Sequence, residues 1–103
     1  MTLRDIAHAR TGDKGDTCNI SVIAYQASDF ARLRRHVTVD CVRALLGETV
    51  HGDITRFELP QLGALNFVLR GALGGGVTRS LALDAHGKSL GSALLALEIP
   101  EES

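Results

Sequence analysis

Two stretches of alternating apolar and polar residues flank a polar segment near the start of the chain, and they constrain the fold more than any other feature. Residues 3–10 and 18–25 both alternate with the period of a β-strand. The residues between them are mostly charged or glycine, which is typical of a long turn. The pattern therefore predicts a hairpin in which Ile6 lies near Val22 and His8 lies near Ile20.

The middle and the end of the chain predict helices. Ser28 is a candidate N-cap for a helix over 29–36, and Thr38 can cap a second helix that Gly47 ends. Whether these are two helices or one kinked helix stays open. Ser89 is the candidate cap of a last helix with apolar residues at helical spacing. The residues of the second helix that we expect to face inward are Val39, Val42, Leu45 and Leu46.

The remaining strands are predicted to follow one another along the chain, in a group apart from the helices. Pro60 ends the third strand because proline cannot donate to a ladder. The element order β-β-α-α-β-β-β-α predicts an α+β fold, with an antiparallel or mixed sheet of about five strands and helices on one face. The other face is then open to water, a ligand or another subunit. The additional strands are expected at 53–59, 65–69 and 77–84, and the residues expected on the open face include Ile23, Ile54 and Val68.

Composition excludes several classes of protein. A chain of 103 residues has the size of one domain, here 1–103. A net charge of −1 does not favour nucleic acid as a partner, and no apolar run reaches the roughly 18 residues of a membrane span. Two cysteines are too few for a disulfide framework, and the first residues lack a signal-peptide pattern. We therefore expect a cytoplasmic protein without a metal or another cofactor.

The polar segment contains the residue types of an anion-binding loop. Gly12 and Gly15 permit positive φ angles, so that successive N–H groups can converge on an anion. Arg10 and Lys14 add positive charge, and Asn19 adds a polar side chain at the far end of the segment. A phosphate or a carboxylate is the ligand that these residues favour, although a purely structural loop uses the same residue types.

Four other residues of this region have more than one possible chemical role. His8, Asp13 and Asp16 are the candidates for proton transfer. The two aspartates could instead hold a hard cation, or pair with the neighbouring cations and leave no site. Cys18 is expected near Arg10, where its thiol could act as a nucleophile, but a small buried hydrophobic role is the favoured interpretation.

A glycine-rich segment is the second candidate site. Three consecutive glycines precede Thr78, Arg79 and Ser80, and such a segment could wrap a phosphate. The spacing matches neither the Walker pattern nor the dinucleotide fingerprint, and glycine runs also mark bends where backbones approach closely. The candidate ligand-binding residues here are Gly74, Gly75 and Gly76.

Four blocks of sequence resemble the small domain of the acyclic terpene utilisation (AtuA-like) family, and the resemblance covers nearly the whole chain. They are residues 8–20, 58–60, 65–76 and 89–91. The resemblance implies a ferredoxin-like fold. In that family the domain follows a much larger one or occurs as a separate short protein, and the resemblance assigns no catalytic residues.

Size and resemblance together predict an accessory module rather than an enzyme. Its expected partner is a larger terpene-utilisation-type protein, further copies of the same chain, or both. The alternative is an enzyme or binding protein for an anionic small molecule, an acyl-CoA or a carboxylate, that uses the 8–19 loop.

Overall fold

The computed structural model describes residues 1–14, 17–47, 50–71 and 88–100, which form one antiparallel sheet and three α-helices. The strands are β1 (Ala7–Lys14), β2 (Thr17–Ala24), β3 (Ile54–Leu59) and β4 (Ala64–Leu69). The helices are α1 (Phe30–His36), α2 (Val39–Leu46) and α3 (Lys88–Leu95). Short 3₁₀ helices cover Leu3–Asp5, Ala27–Asp29 and Pro60–Leu62.

The sheet has the strand order β1-β2-β4-β3, and every neighbouring pair is antiparallel. This arrangement confirms the predicted α+β class with helices on one face of the sheet. The structure describes four strands, whereas about five were predicted. The strand predicted at 77–84 lies outside the described residues, as do Gly74, Gly75 and Gly76.

The first hairpin differs from the predicted one in both extent and register. His8 pairs with Ile23 rather than with Ile20, and Lys14 pairs with Thr17. The predicted 10–17 loop was therefore wrong, because strand pairing continues through its polar residues almost to the turn. Only residues 15 and 16 separate the two strands, and two-residue connections are the commonest in hairpins. The prediction that the first strand starts at residue 3 was also wrong, since Leu3–Asp5 forms a 3₁₀ helix.

Alternate residues of the two central strands form the core against the helices. Ile20 pairs with Phe67 and Val22 pairs with Leu65, and all four side chains are fully buried. The alternation predicted for β2 is therefore confirmed. Ile54 was expected on the open face, which was wrong: it pairs with Leu69 on the core side and is buried. The helices contribute Leu33, Val42, Leu46, Leu90 and Leu94 to the same core.

The structure settles the question of the central helices: there are two. Thr38 begins α2, and its hydroxyl accepts a hydrogen bond from the Cys41 N–H at 3.1 Å, as the sequence predicted. Gly47 ends the helix with a φ of 52°. Ser28 does not cap α1, because it lies inside a 3₁₀ turn and Asp29 occupies the N-cap position. Leu45 was predicted to face inward, but it is 38% exposed.

The two ends of the described chain lie against each other. The Leu3 N–H donates to the Leu97 carbonyl at 2.8 Å, and the Ile99 N–H donates to the Met1 carbonyl at 2.9 Å. Leu97 was expected to continue the last helix, yet the helix ends at Leu95 and residue 97 already belongs to this contact. Pairing of the first and last segments buries Leu3 completely.

Helix α3 packs closely on β1 at Gly91. A Cβ atom at this position would lie 2.9 Å from the Thr11 methyl group and 3.8 Å from the Ala9 Cβ. Only a residue without a side chain permits this approach of helix and strand. The contact holds α3 on the core side of β1, so that the opposite side of the sheet stays uncovered by the described helices.

Candidate functional site

The side of the sheet that faces away from the helices is the candidate functional surface, which we call the open face. Strand alternation places every second residue of each strand there. The pairing register aligns these residues into rows that cross all four strands. The first row is His8, Ile23, Ala64 and Leu59; the second is Arg10, Ser21, Asn66 and Phe57; the third is Gly12, Asn19, Val68 and Thr55.

The open face has exposed apolar side chains at its His8 end and along β3. Tyr25 follows β2, and its ring stacks on the His8 ring with centroids 5.3 Å apart and planes at 14°. Despite this contact Tyr25 remains 62% exposed, and Phe57 on β3 is 48% exposed. Leu62, in the connection after β3, is 69% exposed. We call these open-face residues, Ile23, Tyr25, Phe57 and Leu59, together with Leu62 of the connection between β3 and β4, the apolar patch.

The middle of the open face is polar on β1, β2 and β4, beside Phe57 on β3. Ser21 and Asn66 pair across β2 and β4, and the Ser21 hydroxyl donates a hydrogen bond to Asn66 Oδ1 at 3.1 Å. Arg10 lies beside Ser21 on β1 and is exposed. The open face therefore combines apolar contact area with fixed hydrogen-bonding groups, the mixture that is typical of protein–protein interfaces.

Three residues of the predicted anion site lie on the same face of the sheet, toward the turn of the first hairpin. Arg10, Gly12 and Asn19 share the open face, and a Cβ atom on Gly12 would lie 3.4 Å from Asn19 Oδ1. Lys14 is the last residue of β1, while Gly15 and Asp16 lie outside the described residues. An anion site at this end of the sheet stays a prediction.

His8 lies apart from Gly12 and Asn19, although Arg10 is its next neighbour on the open face of β1. It lies four residues before Gly12 on an extended strand, a separation of roughly 13 Å along the sheet. The expected 8–19 loop was wrong because these residues form two paired strands, which spread their side chains along the sheet instead of gathering them. His8 belongs instead to the apolar end, where it contacts Tyr25.

Cys18 lies on the core side of the sheet. It pairs with Asp13 and Leu69, and its side chain is fully buried. The expected neighbourhood of Arg10 was wrong, because Arg10 pairs with Ser21 and lies on the opposite face. The favoured interpretation of Cys18 as a small buried hydrophobic residue is confirmed.

The described part of the chain contains neither a cluster of metal-ligating side chains nor a membrane-spanning helix. Among these residues, no three His, Cys, Asp or Glu side chains are grouped closely enough to hold a metal ion. None of the helices described above has the length and apolarity that crossing a membrane requires.

Sequence reasoning missed most of the apolar patch. Ile23 was predicted on the open face, but Tyr25 and Leu62 were not singled out as functional residues. The only signal for Phe57 and Leu59 was the alternation of β3, which placed both on one side of the strand. Their exposure depends on β3 lying at the end of the order of the described strands, and the strand order is a tertiary property.

Comparison with known proteins identifies a family. A family model described as the AtuA ferredoxin-like domain matches residues 1–100, which is nearly the whole chain. No curated protein and no solved structure matches the chain significantly.

Proposed function

Because the chain belongs to the AtuA ferredoxin-like domain family, we propose that it is an accessory interaction domain that uses the open face of its sheet to bind protein. Its partner is a larger terpene-utilisation-type protein, a second copy of the chain, or both. The domain works in the cytoplasm, where thiols such as those of Cys18 and Cys41 remain reduced.

The observation that carries this proposal is the apolar patch on a sheet face that none of the described helices covers. Tyr25, Phe57 and Leu62 expose between 48% and 69% of their surface. Large apolar side chains that are exposed together mark interaction sites more often than those scattered singly. Aromatic residues are also enriched at the centres of such interfaces, since they bury much area at little cost in side-chain entropy.

The polar middle of the open face supports specificity. The hydrogen bond between Ser21 and Asn66 holds both side chains in place before a partner arrives. Polar groups that are already ordered lose less side-chain entropy on binding than mobile ones. A partner that buries the apolar patch would then be oriented by these groups and by exposed Arg10.

Binding measurements with substituted chains test the proposal. The larger AtuA-type protein of the same host is purified, and its affinity for the chain and the self-affinity of the chain are measured. We expect Tyr25→Asp and Leu62→Asp to weaken binding of the larger protein by at least about tenfold, because each buries a charge at the interface. The control is Leu45→Asp, which places the same charge at an exposed leucine of α2, on the helical side of the molecule.

The two outcomes are clearly separated. Loss of binding in both apolar-patch variants, with binding retained by Leu45→Asp, supports the proposal. If the chain associates neither with itself nor with the larger protein, or if Leu45→Asp is the only disruptive variant, the open face is not the functional surface.

A further inference from the structure

The outer edge of β3 offers backbone groups for another strand. Among the described residues, no strand pairs with that side of β3. The Arg70 N–H donates to the Asp53 carbonyl at 2.9 Å, so Asp53 directs its backbone groups toward β4. Because this direction alternates along an antiparallel strand, the N–H and C=O groups of Arg56 and Glu58 point outward. Residues 57–59 are exposed, so the edge is accessible there.

The charges on β3 favour one pairing register between the β3 strands of two copies related by a twofold axis. Two identical antiparallel strands related by a twofold axis must place one residue directly opposite itself. With Arg56 or Glu58 at the centre, like charges face each other, which is unfavourable. With Phe57 at the centre, Arg56 of each copy lies opposite Glu58 of the other. Arg56 and Glu58 already form an ion pair at 3.0 Å within one chain, so both side chains lie together on the same side of the strand.

The same register also brings apolar side chains together. Phe57 meets Phe57 of the second copy as a pair without direct backbone hydrogen bonds, the arrangement in which antiparallel side chains lie closest. Leu59 lies opposite Thr55 of the second copy on the same face. Because the axis is perpendicular to the sheet, the open faces of both copies point in the same direction and the two apolar patches become neighbours.

We propose that two copies of this chain associate through the outer edges of their β3 strands, in the register centred on Phe57, so that the four described strands of each copy continue into one sheet. This inference rests on the proposed function, since it names a second copy as one partner of the domain. The pairing adds backbone hydrogen bonds at Arg56 and Glu58 and doubles the area of the open face available to a larger protein.

The oligomeric state of charge variants tests the association. Light scattering coupled to size-exclusion chromatography should show a concentration-dependent dimer for the wild-type chain. Glu58→Arg places arginine opposite arginine twice, by symmetry, and should weaken the dimer by at least about tenfold. Glu98→Arg makes the same charge change at a side chain that is 80% exposed and lies far from β3, so it should leave the dimer unchanged.

Cysteine cross-linking tests the register, with Cys41→Ser as the background because Cys18 is buried. In the proposed register, Phe57→Cys places two Cα atoms about 4.5 Å apart, within the range of a disulfide. Thr55→Cys is the matched control on the same face, and its two copies would lie roughly 13 Å apart. Mild oxidation should therefore cross-link the Phe57→Cys chain and leave the Thr55→Cys chain uncross-linked.

The results that would contradict this inference differ from those that would contradict the proposed function. A wild-type chain that remains monomeric up to millimolar concentration overturns the inference, as does equal cross-linking at both positions or no cross-linking at Phe57→Cys. If such a monomer still binds the larger protein, and Tyr25→Asp abolishes that binding, the proposed function stands without the dimer. If the chain binds neither itself nor the larger protein, both fail.

Discussion

Substitution of Gly52 by alanine is expected to lower the free energy of unfolding by about 3 kcal/mol. A Cβ atom at this position would lie 2.5 Å from the Arg70 carbonyl oxygen, and a backbone atom cannot rotate away as a side chain can. The same oxygen accepts the Gly52 N–H at 2.8 Å, so the two segments cannot separate without breaking that hydrogen bond. Chemical denaturation measures the effect, and the midpoint of thermal unfolding should fall by roughly 15 °C.

Gly63→Ala is the control for this prediction. Gly63 has a φ of 62°, but no atom lies within 4 Å of the position that a Cβ would occupy. Alanine therefore adds only the strain of a left-handed conformation, about 1 kcal/mol. If Gly52→Ala costs no more than Gly63→Ala, the close approach of residues 52 and 70 is not part of the native fold.

Substitution of Arg56 by methionine is expected to cost about 2 kcal/mol of stability. The Arg56 guanidinium donates to the carbonyl oxygens of Arg34 and Val37, both at 2.9 Å, at the C-terminal end of α1. These carbonyls have no partner within the helix, and a positive charge there also favours the helix dipole. Methionine retains the apolar stem of the side chain. The loss of stability measured by denaturant unfolding therefore reports the contribution of the guanidinium alone.

Two controls separate this role from surface charge. Glu58→Gln removes only the ion pair with Arg56 and should change stability by less than about 1 kcal/mol. Arg70→Met removes an exposed arginine that donates to the Thr55 hydroxyl at 3.4 Å, and its effect should stay within about 0.5 kcal/mol. If the Arg56→Met chain is no less stable than the Arg70→Met chain, Arg56 does not stabilise the C-terminal end of α1.

Local sequence patterns predicted correctly the elements that depend only on a residue's own side chain and the neighbouring backbone. The alternation of Ile20 and Val22 predicted a strand with one buried face, because both side chains pack on the core. Thr38 predicted the start of α2, since its hydroxyl satisfies an N–H of the first turn. Pro60 predicted the end of β3 for an equally local reason.

The first hairpin shows why the candidate site could not be predicted in the same way. Residues from Arg10 to Lys14 have the composition of a turn, and only the backbone pairing with β2 makes them a strand. An exposed face and a position at the end of the order of the described strands remove the need for apolar residues, so the usual signal of a strand is missing. The register error moved His8 toward the turn in the prediction, whereas the structure places it beside Tyr25.

Local sequence patterns also could not predict contacts between segments that are distant in the sequence. Nothing near Gly91 in the sequence indicates that Thr11 lies against it, and nothing near Arg56 indicates that α1 ends there. Both contacts depend on how helices pack on the sheet. The same packing leaves the apolar patch exposed, so the proposed interaction surface follows from tertiary structure.

Side-chain protection in the assembled state tests the central claim most directly, namely that the open face of the sheet is the surface by which this domain binds protein. Hydroxyl-radical footprinting compares the free chain with the chain in its purified complex with the larger protein. Tyr25, Phe57 and Leu62 should become several-fold less reactive in the assembly, while Leu45 on α2 should react as before. Unchanged reactivity at those three residues together with protection of Leu45 would contradict the account.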